Sequence, residues 1–234
     1  MRNKFIFDGV STSDYGIIIS GDGVFPRAER DVSYVNIPGR DGALMYDNGR
    51  FRNVTVSYTC GIERDFVKKF SAFCAALPPT GYHRLEDTYH PDEYRLAAMV
   101  GELAPERLGA NWEAGEFEIK FDCKPQRFLK SGEIPVEFTA PSALRNVWME
   151  ALPLVTVYGT GAGTVTIGGD TVTLKAIDGS VTLDCDTQNA YKGAENKNAS
   201  IYAPTFPRLT HGDNVVSWTG GVSRVEIVPR WWTI

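Results

Sequence analysis

The chain has 234 residues, 43% hydrophobic and 23% charged, with a formal net charge of -5. That composition excludes wholesale disorder and supplies enough apolar side chains for one large or two modest cores. The acidic balance argues against stable nucleic-acid binding, which needs a basic surface to release counterions, and no run approaches the ~20 apolar residues of a membrane span.

Met1-Arg2-Asn3-Lys4 ahead of Phe5-Ile6-Phe7 imitates an export signal, but the apolar run breaks at Asp8-Gly9. It stops short of the roughly 7–15 apolar residues a signal needs, so the protein is expected to be made and kept in a cytoplasm unless a larger particle carries it out. Residues 4–7 and 15–20 carry β-branched and aromatic side chains around turn signals and are expected to be strands. Next comes Tyr34-Val35-Asn36-Ile37-Pro38-Gly39-Arg40-Asp41-Gly42-Ala43-Leu44, followed by Asp47-Asn48-Gly49-Arg50-Phe51. Two turn clusters, 38–42 and 47–49, sit between strand-like runs, which implies a long hairpin arm with strands near 31–37 and 51–60. Ala43, Leu44, Met45 and Tyr46 fall between the turns, at an expected exposed tip. Such a tip either seats against another subunit or folds back on its own core.

Val54-Val56-Tyr58-Cys60 alternates with Thr55-Ser57-Thr59, the period of a half-buried strand. One helix is expected over residues 64–77, where Phe66, Val67, Phe70, Phe73, Cys74 and Leu77 mark an apolar face and Pro78-Pro79 ends it. That face suits packing on a sheet better than binding a partner. Residues 82–86 and 94–100 form two further strands, 105–111 a polar loop, and Phe117-Ile119-Phe121-Cys123 a clearly alternating strand. Composition changes near 131–133, giving two domains, 1–130 and 131–234. The first is a β-sandwich-like module with one α-helix and the long arm. The second shows short strands at 135–138, 154–158, 164–167, 171–174, 181–185, 215–218 and 225–228. Turns are expected at 159–163, 168–170, 178–179, 211–214 and 220–221, so the pattern is an antiparallel β-sandwich.

Chemistry is hard to find along this chain, and neither catalysis nor a cofactor is expected. Tyr158-Gly159-Thr160-Gly161-Ala162-Gly163 is followed by a strand rather than the helix a phosphate loop requires, and is expected to be a hairpin turn. His83, Asp87, His90, Asp92 and Glu93 are the densest set of potential metal ligands, but their spacing matches no metal motif. His211 lies in a turn, and no nucleophile elbow exists. Cys60, Cys74, Cys123 and Cys185 are widely spaced and are expected to be core residues rather than disulfide or zinc partners. Asn53-Val54-Thr55 and Asn198-Ala199-Ser200 match the glycosylation pattern by chance.

Several segments, in order, resemble the distal tail proteins of long non-contractile-tailed bacteriophages. They are Phe5-Ile6-Phe7-Asp8-Gly9, Ser13-Asp14-Tyr15-Gly16-Ile17, Ile37-Pro38-Gly39-Arg40-Asp41-Gly42, Arg84-Leu85-Glu86-Asp87-Thr88-Tyr89, Phe121-Asp122-Cys123-Lys124-Pro125-Gln126-Arg127 and Pro229-Arg230-Trp231-Trp232. The resemblance implies a structural virion protein assembled in the host cytoplasm, forming a hexameric ring at the tail tip with a channel for the genome. It implies contacts with the tail tube protein and a tail-associated or tail fibre protein, and a galectin-like second domain. A closed ring needs heterologous contacts, and Pro38, Gly39, Arg40, Asp41, Gly42, Leu44, Met45 and Tyr46 are the expected interface residues. One alternative is a carbohydrate-binding adhesion module at the host cell surface. Trp218 lies where galectins stack a sugar, but the accompanying Glu and Arg and the H-x-N-P-R strand are missing. A second alternative is a tail-tube subunit, which would need no second sandwich.

Overall fold

The computed structural model describes residues 2–21, 23–108 and 113–234. The chain forms two compact units, Met1–Arg127 with Ile234, and Phe128–Thr233. The first contains β1 (Phe5–Phe7), β2 (Val10–Ser11), β3 (Ile17–Ser20), β4 (Arg30–Asn36), β5 (Ala43–Phe51) and β6 (Val54–Ile62). After helix α1 (Phe66–Ala76) come β7 (His83–Asp87), β8 (Glu93–Val100), β9 (Glu106–Leu108) and β10 (Ala114–Leu129), the last running on past Arg127. Residues 106–108 were expected in a loop. They instead pair with β10, while positions 109–111 of that expected loop lie outside the described residues.

Alternation explains the centre of this unit. Val56 faces Phe121, Tyr58 faces Ile119 and Cys60 faces Phe117 across the antiparallel β6–β10 ladder. All six side chains are buried on one face, with polar residues between them on the other. The sheet runs β2-β1-β7-β8-β10-β6-β3, with β9 beside β10, while β4 and β5 form a separate two-stranded ribbon. Phe5 stacks on Tyr58 at 4.9 Å and meets Phe121 edge-on at 5.5 Å, so rings from three strands fill one layer.

Helix α1 covers this layer. Phe66 and Phe73 are buried, and Phe70, half-buried, stacks on Phe66 and meets Phe117 edge-on at 5.0 Å. The stripe of Phe66, Phe70, Phe73 and Leu77 touches the sheet. Val67 was expected on the same face but is 49% exposed, because one residue turns the helix about 100° away from the stripe. Leu77 takes an extended conformation ahead of Pro78, which stops the helix. Phe73→Ala is expected to cost ~3–5 kcal/mol as a core deletion, read by chemical denaturation, and Phe70→Ala less because that ring is half-exposed.

The second unit contains β11 (Val136–Phe138), β12 (Ser142–Asn146), β13 (Leu154–Ile167), β14 (Asp170–Asp184), β15 (Asn189–Lys192), β16 (Glu195–Asn196), β17 (Ile201–Tyr202), β18 (Gly212–Val228) and β19 (Trp232–Thr233). Its main sheet runs β11-β18-β13-β14-β15-β16. Here the expected turns need correction. The segments 159–163, 178–179 and 220–221 do not reverse the chain: β13, β14 and β18 run straight through them. The glycines form a crease instead. Register shifts flank Gly159 and fall between Gly161 and Gly163. A Cβ on Gly221 would collide with the Thr160 carbonyl oxygen, and one on Gly159 with the Gly221 carbonyl. Only glycine lets the backbones approach so closely.

Each long strand thus serves both layers of a sandwich made by folding one sheet over. Val155 and Val157 before the crease, and Val165 and Ile167 after it, enter the same core. A genuine turn does occur at Gly168-Gly169, both at positive φ, joining Ile167 to Asp170 as a two-residue hairpin. Asn214 is buried and stitches the nearby loop, its amide donating to the carbonyls of Thr210 (2.8 Å) and Gly212 (3.1 Å). Gly221→Ala is expected to destabilise this unit by about 1–3 kcal/mol or more through overpacking. Gly61→Ala, where a Cβ meets nothing within 4 Å, is the control and should stay within about 0.5 kcal/mol in the same urea titration.

Candidate assembly interface

The ribbon of β4 and β5 pairs Asn36 with Ala43, Val35 with Leu44, Tyr34 with Met45 and Ser33 with Tyr46. Its tip is the stretch with the strongest turn chemistry. The Arg40 amide donates to the Ile37 carbonyl at 3.2 Å, with Pro38 second and Gly39 third at φ 80°, the signature of a type II turn. Gly42 returns the chain to the second strand at φ 75°.

The second expected turn, at 47–49, is absent, and the expected strand limits of 31–37 and 51–60 shift accordingly. β5 continues to Phe51, and the register slips between Arg30 and Val32. Asp47 accepts from the Gly49 amide at 2.8 Å and Gly49 sits at φ 74°, so this turn-like triplet makes a local bulge inside a strand. Leu44, Met45 and Tyr46 therefore lie along a strand and not at the tip.

That placement changes what the ribbon presents. Cross-strand pairing puts Val35, Leu44 and Tyr46 on one face and Tyr34 and Met45 on the other. All five are between 49% and 66% exposed. Pro38, Gly39, Arg40, Asp41 and Gly42 are exposed at the tip. Tyr34, Val35 and Ile37, which belong to the same expected arm, are exposed beside them.

Charge organises the root of the ribbon. Asp31 is buried between Arg50 (2.7 Å) and Arg52 (3.0 Å), and Glu29 reaches Arg52 at 3.5 Å. Arg30 pairs with Asp47 at 2.9 Å and lies over the Phe51 ring at 4.9 Å. The Arg50 guanidinium first, and Arg52 second, hold the Asp31 carboxyl below its ordinary value of 3.8. The Gly49 amide and then Arg30 do the same for Asp47. A carboxylate with a lowered folded-state value stabilises fully above its unfolded value, and that contribution disappears as pH falls through the lower one. Amide exchange across residues 30–51 is therefore expected to accelerate below about pH 3.8 while β6 and β10 stay protected, and Asp31→Asn should produce the same local loosening at neutral pH.

The other candidate residues are absorbed by structural contacts. Ring nitrogens of His83 lie 2.8 Å from the Thr80 carbonyl and 3.2 Å from the Asp8 carboxylate, the two acceptors that raise its pKa. Asp87 accepts from the Tyr58 hydroxyl (2.8 Å) and the His90 amide (2.7 Å), and Glu93 takes Arg127 in a two-point pair. Asp92 and His211 are exposed. Among the described residues no three of these side-chain types come together as metal ligands. All four cysteines are free, and burial pushes the thiols of Cys60, Cys123 and Cys185 up to about 12. Trp218 is half-buried against the second core.

No family model and no curated protein matches this sequence. Structural similarity is extensive. The crystal structure of Dit (gp 19.1) of phage SPP1, described as a paradigm of the hub adsorption apparatus in phages infecting Gram-positive hosts, matches with a TM-score of 0.74 at 10% identity. The match covers 97% of this chain and 98% of that one. Along essentially its whole length, the chain therefore has the fold of a phage distal tail protein.

Proposed function

We propose that this chain is a structural, non-enzymatic component of a phage tail tip, a subunit of a ring that joins the tail tube to the receptor-binding apparatus and leaves a channel for the genome. The observation that carries the reading is the ribbon, whose two faces both present apolar side chains that its own chain leaves uncovered. The whole-chain fold of a hub protein supports the same role. Residues 1–130 form the ring and 131–234 project from it. The partners are further copies of the chain, as a hexamer, with the tail tube protein on one side and a tail-associated or tail fibre protein on the other. Assembly takes place in the host cytoplasm.

A two-stranded ribbon standing alone is marginal in water. Exposed aromatic and aliphatic side chains on both faces add a solvation cost that a neighbouring subunit removes. In a closed ring each subunit offers one surface to a different surface of the next, and a projecting ribbon is suited to that reach. On this reading Leu44, Met45, Tyr46, Tyr34, Val35 and Ile37 are buried between subunits. Pro38, Gly39 and Gly42 set the tip geometry, and Arg40 and Asp41 make polar rim contacts.

The combined variant Val35→Ser, Leu44→Ser and Tyr46→Ser strips one face of the ribbon. Because these side chains are exposed in the single chain, the variant is expected to keep the far-UV circular dichroism of the parent protein and to unfold cooperatively. Sedimentation velocity is expected to show rings for the parent and monomers for the variant. Intact rings from the variant would refute the role given to the ribbon.

A further inference from the structure

The second unit carries a cavity of about 440 Å3 that the assembly reading leaves without a role. It lies between the segment joining β14 to β15 and the segment that follows β17. Leu152, Asp186, Gln188, Thr205, Phe206 and Arg208 line it.

Its floor is fastened on several sides. The Cys185 amide donates to the Pro153 carbonyl at 3.1 Å, and Ala151 and Leu209 exchange backbone hydrogen bonds at 2.9 and 3.1 Å. The Asp186 amide donates to Asp184 at 3.2 Å, and Asp184 is itself paired with Arg230 at 2.6 Å. Pro204 and Pro207 stiffen the opposite rim. Gln188, at φ 54°, closes the turn that joins β14 to β15. The floor is thus fixed by backbone contacts, while the polar side chains of Asp186, Gln188, Thr205 and Arg208 stand exposed around it.

We propose that this cavity binds a neutral saccharide. Its chemistry selects against charged ligands. Arg208 already faces Glu150 at 3.3 Å, and Asp184 with Arg230 forms a second closed pair, so Asp186 leaves a small local excess of negative charge that opposes phosphate. A single carboxylate from the lining is too few oxygen ligands for a hard cation. What remains is a carboxylate that accepts, a guanidinium that donates, and an amide and a hydroxyl that do both, beside the half-buried Phe206 ring. Sugar hydroxyls need mixed donors and acceptors, and the C–H face of a pyranose needs an apolar wall. The site is distinct from Trp218, and it stands or falls independently of ring assembly.

Saturation-transfer NMR on the full chain with glucose, galactose, N-acetylglucosamine and rhamnose tests the assignment, with inorganic phosphate and calcium as charged competitors. At least one sugar is expected to receive saturation, with a dissociation constant in the millimolar range that neither phosphate nor calcium alters. Asp186→Ala and Arg208→Ala, both at exposed side chains, are expected to weaken it about tenfold each with unchanged melting, the loss expected when a hydrogen bond to a charged group is removed. Absence of transfer to all four sugars overturns the assignment. So does transfer that persists at full strength in both variants, or displacement of the sugar by phosphate or calcium.

Discussion

The β6–β10 ladder is the constraint on which the first unit depends. Its alternation places Val56, Tyr58 and Cys60 opposite Phe121, Ile119 and Phe117 on one buried face, and a slip of one residue would turn all six toward solvent. Two consequences follow from that register. Phe117 and Phe121 lie where α1 and β1 can pack their rings, so the helix stripe and the N-terminal strand are both positioned by it. Because β6 begins at Val54, only Arg52 and Asn53 separate it from β5, and the ribbon must leave the sheet at that point.

A ribbon that leaves a sheet loses the core that stabilised its parent strands. Here the two ends of the ribbon solve that problem differently. At the root, Asp31 is enclosed by two guanidinium groups, and Arg30 joins Asp47 to the Phe51 ring, so charge and one half-buried aromatic fix the exit. Toward the tip the described residues show no such network, only a type II turn and five exposed apolar side chains distributed over both faces. Burying one side chain of this size is worth about 1.5–3 kcal/mol. The outer half therefore has much to gain from a partner, whereas the inner half is already satisfied. Such a polarity along a single element suits a device anchored in one subunit and completed by another.

The sequence made the alternating strands and the helix stripe legible because their periods, two and near 3.6, are imposed by geometry and survive any change of partner. Glycine was less informative. Gly159, Gly161, Gly220 and Gly221 break strand propensity in the same way that Gly168 and Gly169 do, yet only the latter pair reverses the chain. Both situations demand an absent Cβ: positive φ occurs at Gly161 and Gly220 in the crease as well as at Gly168 and Gly169 in the turn, and close backbone approach at Gly220 and Gly221 as well as at Gly168, so a single sequence cannot separate them. Asp47-Asn48-Gly49 misled for a related reason, since Asp accepting from an amide two residues on is as good a bulge as a turn. With a turn assumed at 47–49, Leu44 to Tyr46 looked like a tip, whereas they lie along a strand. The cavity had no signature at all, because its lining is gathered from three separated segments by the crease and the Ala151–Leu209 bridge.

A whole-chain fold shared at 10% identity cannot rest on shared side chains. It rests on what many sequences can supply: alternating polarity, a helix stripe of the right width, and volume in the core. Backbone crossings are less forgiving. Where Gly221 passes Thr160 and Gly220 passes Ala162, no side chain of any kind fits, so the crease that folds one sheet into two layers is fixed by sterics alone. Surfaces carry neither constraint. The ion-pair root of the ribbon, its two apolar faces and the mixed lining of the cavity can all change without disturbing ladder or crease. The shared architecture therefore sets where a ribbon can project, and the side chains of this particular chain decide what it can hold.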